Sequence, residues 1–185
     1  MIKKIITVFL LCTMFLCSAY RRPFKYTIKP EKDAYYHNSL GLNYLQDRIY
    51  YAAVQEFKIA ISLSPSTQAS AIFKSNLGDT YMFIGYPEMA RPCYEDALKL
   101  YGLNFKYYQN LIKCYMALGI TETKKREFQA SDNLYDKIKL GLLYVETGET
   151  RKGVNVLDDI CTAEPDILIN SAIKQYLKDV TEKMN

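Results

Sequence analysis

The 185-residue sequence has no tryptophan, one histidine, 8 glycines and 6 prolines. So little glycine and proline argues against a turn-rich β fold and suits long helices. The lone His37 cannot supply paired imidazoles to a zinc ion, and the five cysteines contain no C-x-x-C spacing. A strong charge of one sign is also lacking. The formal balance is +4, and removing Lys3 and Lys4 from the 24 basic side chains leaves 22 against 20 acidic ones, a balance of +2. That is too weak for a nucleic-acid footprint. The run Lys124-Lys125-Arg126 is followed at once by Glu127 and reads as a solvated helix face. There is no phosphate-cradling G-x-x-x-x-G-K-[ST], no G-x-G-x-x-G and no nucleophile elbow. Asp158-Asp159 and Asp132-Asn133 lack the glycine-punctuated spacing of a calcium loop. Catalytic, cofactor and metal sites are therefore not expected, and the chain reads as a non-enzyme.

What is present begins with a leader. Met1–Lys4 is basic, Ile5–Cys17 is apolar, and Cys17-Ser18-Ala19 offers small residues before a cut. These are the three parts of a secretory signal peptide, residues 1–19, with cleavage expected after Ala19. The apolar run is shorter than the roughly 20 residues that span a bilayer. Arg21 and Arg22 resist transfer, so an uncleaved membrane anchor stays open as the alternative. The expected location is exported, periplasmic or secreted, or else membrane-anchored by that segment. Residues 20–33, with Pro23 and Pro30, read as an extended lead-in. Beyond the leader, Cys93, Cys114 and Cys161 read as small packing residues. The 17 tyrosines are expected between helices with their hydroxyls reaching water.

A repeat organises the rest. Leu40-Gly41 is followed by Tyr44, Leu77-Gly78 by Tyr81, Leu140-Gly141 by Tyr144 and, more weakly, Leu111-Ile112 by Tyr115. Ala53, Phe57 and Ala60 trail the first copy, and Ala90, Tyr94 and Ala97 the second. Pro65 and Pro165 close the first and last units, while Asp47-Arg48, Gly85, Gly119 and Gly148 mark turns inside them. This pattern resembles the tetratricopeptide repeat, W-x₂-L-G-x₂-Y…A-x₃-F…P, with its period of about 34. His37 and Lys74 hold the tryptophan place. The third unit is degenerate and several residues short, with Ile112 for glycine, Lys124 for alanine and Ser131 for the final alanine. In the fourth, Gly153 replaces alanine. Gly41 and Gly78 are read as close-approach points where leucine would overpack the hairpin and alanine would be tolerated. After Pro165, Ile169, Ala172, Ile173, Tyr176, Leu177 and Val180 form one stripe of an amphipathic closing helix.

The resemblance implies an all-α fold, a right-handed α-solenoid of stacked antiparallel helix pairs over residues 34–185. Its repeats would run about 34–70, 71–104, 105–133 and 134–167, with a capping helix at 168–184. It further implies a non-catalytic adaptor that binds a protein or peptide partner on the inward face of each first helix. That face would present Tyr35, Asn38, Leu42 and Leu45, then Ser75, Asn76, Asp79 and Met82, then Lys106, Gln109, Asn110 and Lys113. No nucleic acid or cofactor is implied. The family's two-carboxylate clamp fits at Asn76 and Lys106 but not at Asn38, Leu42 or Asn110, so it is set aside. The alternative is a membrane-anchored scaffold that self-associates through a repeat edge, with Cys93, Cys114 or Cys161 bridging chains.

Overall fold

The computed structural model describes residues 33–183; the leader and nearly all of the lead-in lie outside them. Those residues form nine helices and no strand: α1 (Ala34–Gln46), α2 (Tyr50–Leu63), α3 (Gln68–Phe83), α4 (Pro87–Leu100), α5 (Phe105–Ala117), α6 (Thr121–Gln129), α7 (Leu134–Glu146), α8 (Thr150–Ala163) and α9 (Asn170–Glu182). α1 packs on α2, α3 on α4 and α7 on α8. Each second helix also packs on the next first helix, so the fold is an all-α solenoid of helix pairs.

Two local devices alternate along the chain. Every first helix begins under a side-chain cap. Asp33 accepts from the Tyr36 amide at 2.8 Å, Thr67 from Ser70 at 3.2 Å, Asn104 from Lys106 at 3.0 Å and Asn133 from Tyr135 at 2.8 Å. The second helices have no such cap. They follow instead a tight turn through one left-handed residue: Arg48, Gly85, Gly119 or Gly148. In the first three turns the amide after that residue reaches back to the carbonyl of the repeat tyrosine: Ile49 to Tyr44, Tyr86 to Tyr81 and Ile120 to Tyr115, at 2.8–3.1 Å. Glycine adopts this conformation without strain; Arg48, at φ 61°, bears a steric cost its three counterparts avoid.

Within three pairs the helices meet at a glycine. A Cβ on Gly41 would stand 2.7 Å from the Phe57 ring, on Gly78 2.7 Å from the Tyr94 ring, and on Gly141 2.7 Å from Leu157. All three opposing side chains are buried. Alanine is therefore not the mild substitution expected at Gly41 and Gly78, because even one methyl group would press on a buried aromatic ring. In the fourth pair Gly153 lies so close to α7 that a Cβ would meet the Gly141 carbonyl oxygen and Val145 Cγ2, both at 2.5 Å.

The third pair departs from this scheme. Ile112 fills the glycine place, and α5 packs only lightly on α6. α6 has 9 residues where α2, α4 and α8 each have 14. Its C-cap Ala130 is followed by Ser131, Asp132 and Asn133, short polar residues that compete with helical hydrogen bonds. The Ser131 hydroxyl bonds Asp136, and Asn133 caps α7, so the chain enters the next helix early.

Three tyrosines behave differently from expectation. Tyr94, Tyr108 and Tyr115 are buried, and their hydroxyls donate internally to Asp79, the Gly102 carbonyl and Glu95 rather than to water. His37 is buried in the tryptophan place, but it does more than pack: its Nδ1 lies 2.7 Å from Glu56 Oε2, and burial pushes the Glu56 carboxyl up. Ile169, which precedes α9, joins Ile173 and Leu177 of that helix in the same apolar cluster as Ile138, Leu142 and Leu157. Beyond closing the last pair, α9 brings Tyr176 edge-on to Phe105 of α5 with ring centres 5.4 Å apart.

Candidate interaction groove

The row of first helices positions the side chains assigned to partner binding. They fall into three sets. Asn38 and Ser75 are buried, and Asn38 accepts a hydrogen bond from Asn76 Nδ2 at 2.8 Å. This amide pair ties α1 to α3, so Asn38 does not face the solvent as expected. Tyr35 and Leu42 are exposed, and the Tyr35 ring stands edge-on to Phe73 at 5.6 Å. Leu45 is half-buried against the core.

The second set is the site. Asp79 and Met82 of α3 meet Lys106, Asn110 and Lys113 of α5 around a cleft of about 430 Å³. Asn110 is buried and forms part of its floor, donating to Asp79 Oδ1 at 2.9 Å. The Tyr94 hydroxyl donates to the same oxygen at 2.6 Å. Burial pushes the Asp79 carboxyl above its ordinary range, against the opposing pull of Tyr94, Lys106 and Lys113. The Tyr94 hydroxyl is pushed up as well, first by burial and then by its bond to Asp79. Asp79 is thus engaged from below, while Lys106 and Lys113 stand exposed.

Two residues of this cleft escaped the sequence reading. Phe83, the last residue of α3, lines it while 68% exposed, and the Tyr94 side chain forms another part. Phe83 follows Met82, where the helix register stops guiding assignment. Tyr94 occupies a place that reads as core, and its one signal is the hydroxyl that phenylalanine would lack.

Gln109 belongs to the third set. With Lys106 and Phe105 it lines a neighbouring cleft of about 560 Å³ whose other wall is α9, through Gln175, Tyr176 and Asp179. The closing helix therefore borders the inward face.

The thiols offer no reactive group. Burial pushes Cys93 and Cys114 each up to about 11 and raises Cys161, so all three stay protonated near neutrality. Cys114 and Cys161 are buried, which closes off the chain-bridging role considered for them. Among the described residues no group of three His, Cys, Asp or Glu could hold a metal ion, and no helix is long and apolar enough to cross a membrane.

Residues 73–102, from within α3 to just past α4, match the family model for the tetratricopeptide repeat. The human Intraflagellar transport protein 88 homolog is 31% identical over 93 residues, covering 49% of this chain and 11% of that protein. This chain thus corresponds to a small part of that relative's length. Among solved structures, the MamA protein is similar with a TM-score of 0.50 and 19% identity, over 81% of this chain and 91% of that one. A tetratricopeptide repeat protein from Parabacteroides merdae is similar with a TM-score of 0.50 and 17% identity, over 81% and 60%. At such identities the likeness shows the tetratricopeptide fold and nothing finer. The match covers the second pair, which holds the glycine, tyrosine and both alanines of the motif.

Proposed function

We propose that this chain is a non-catalytic, exported tetratricopeptide adaptor that holds a protein or peptide partner on its row of first helices, in an envelope or secretion assembly. The cleft of Met82, Phe83, Lys106 and Lys113 carries the reading. It combines an exposed aromatic anchor with two lysines, while the one carboxylate among them is occupied by Tyr94 and Asn110. Such a surface suits a mildly acidic segment carrying an apolar side chain. The export component rests on the basic start, short apolar run and small residues of positions 1–19.

The test is affinity capture with the exported protein, whose intact mass should begin at Tyr20, followed by Lys106→Glu with Lys113→Glu. Each lysine is solvent-exposed, so each contributes on the order of 1 kcal/mol and weakens with salt. The double change should lower affinity for the captured partner by roughly tenfold or more, with the melting temperature unchanged. Unchanged affinity would move the contact elsewhere, and a mass that includes Met1–Ala19 would favour the anchored form. One observation favours a second reading, self-association: Ile49, Tyr51, Tyr86, Met89 and Met116 are exposed along the edge formed by the first three hairpin turns.

A further inference from the structure

In the two complete N-terminal pairs, the C-terminal half of the second helix is wedged between the starts of two first helices. Ala60 of α2 packs between Ala34 of α1 and Phe73 of α3, and Ala97 of α4 between Ala71 of α3 and Tyr107 of α5. The third pair has no such wedge. α6 stops at Gln129, two residues before Ser131, which holds the place of Ala60 and Ala97. Relative to its 14-residue counterparts it lacks five residues, a turn and a half of helix.

That shortfall leaves a notch on each side of Phe128. The notch facing α4 has a volume of about 470 Å³, but its lysines are matched: Lys99 lies 3.2 Å from Asp96, Lys124 2.7 Å from Glu127, and Lys139 pairs with Asp136. The notch facing α8, about 450 Å³, differs. Its apolar floor is Phe128, Leu134, Val156 and Ile160. Asp132, Asp159 and Glu164 stand on its rim against the single cation Lys137. Lys137 reaches Asp132 at 3.9 Å, and no described cation pairs with Asp159 or Glu164.

We propose that the α8-side notch docks the end of a partner protein's amphipathic helix, basic on its flanks, which supplies the turn and a half that α6 lacks. The notch lies beside the point where α6 stops five residues short of the 14 that α2, α4 and α8 each have. The apolar floor takes the stripe of that helix, and the acidic rim takes its lysines or arginines. The site lies on the second helices and is independent of the groove on the first helices.

The test uses a fluorescein-labelled 14-residue synthetic helix with leucine at i, i+3, i+4 and i+7 and lysine on its remaining face, titrated with the full chain. A twin with glutamate for every lysine is titrated alongside. The lysine peptide should bind at least tenfold more tightly than its twin. Asp159→Lys with Glu164→Lys, both at exposed positions, should reverse that preference. The comparison is read in a Lys106→Gln, Lys113→Gln background, which removes the groove's own preference for acidic segments, and the lysine peptide's affinity there should match that for the parent chain, which separates this site from the groove. Equal binding of the two peptides, no binding, or insensitivity to the Asp159 and Glu164 changes would overturn the assignment. So would sensitivity to the groove lysines.

Discussion

Gly153→Ala is expected to destabilise the chain by about 2–3 kcal/mol, although it restores the alanine of the repeat motif and exchanges a poor helix former for the best one. Propensity alone would gain about 1 kcal/mol. Packing wins because the added methyl has nowhere to go: it would meet the Gly141 carbonyl oxygen at 2.5 Å and the Val145 amide nitrogen at 2.8 Å. Those are backbone atoms of α7, so relief requires the two helices to part. Parting them would unseat Leu157, fully buried over Gly141. Urea melts of the variant and the parent decide this. A midpoint that is unchanged or raised would mean that α7 and α8 separate more cheaply than their packing indicates.

Deleting Asp166–Asn185, and with it α9, should abolish the cooperative melt and promote aggregation. Ile169, Ile173 and Leu177 are 8% exposed or less, and burying each such side chain contributes roughly 1.5–3 kcal/mol. Their sum approaches the whole stability of an ordinary domain, about 5–15 kcal/mol. Deletion would also remove part of the apolar cluster these side chains share with Ile138 and Leu142. Ile138 and Leu142 hold the inward register of α7, the places that Asn38 and Leu42 hold in α1, yet both are fully buried within the cluster that α9 completes. Left open they would form an apolar patch on the inward face. Circular-dichroism melts and light scattering on the truncated chain are the measurements. A truncated chain that stays monomeric with the parent's melting curve would show that α9 is dispensable.

The helix pairs were legible in the sequence because the repeat writes them twice, once in the Leu-Gly-Tyr and alanine spacing and again in the turn glycines. The short third pair was legible too, from Lys124 and Ser131 in alanine places. Other features were hidden for physical reasons. A motif states which residue type is common at a place, not how near the neighbouring helix stands. Hence Gly153 read as a lapse from the pattern, whereas it is the closest helix contact among the glycines. Inward register likewise places a side chain on a face without saying what lies over it. Asn38 proved to be bonded to Asn76, and Ile138 and Leu142 to be covered. Lys106, Lys113 and Met82 line one cleft because α3 and α5 are neighbours in the stack.

The order in which the helices close has a consequence for synthesis. Most contacts of the first two pairs lie within a pair or reach only to the next helix, so a chain emerging amino end first can seat each pair soon after it appears. The fourth pair cannot finish in that way. The apolar cluster that holds its inward side chains stays incomplete until α9 has been made, some 20 residues after α8 ends. At roughly 5–20 residues per second, that leaves an interval of about 1–4 seconds in which the cluster around Ile138 and Leu142 lacks Ile169, Ile173 and Leu177.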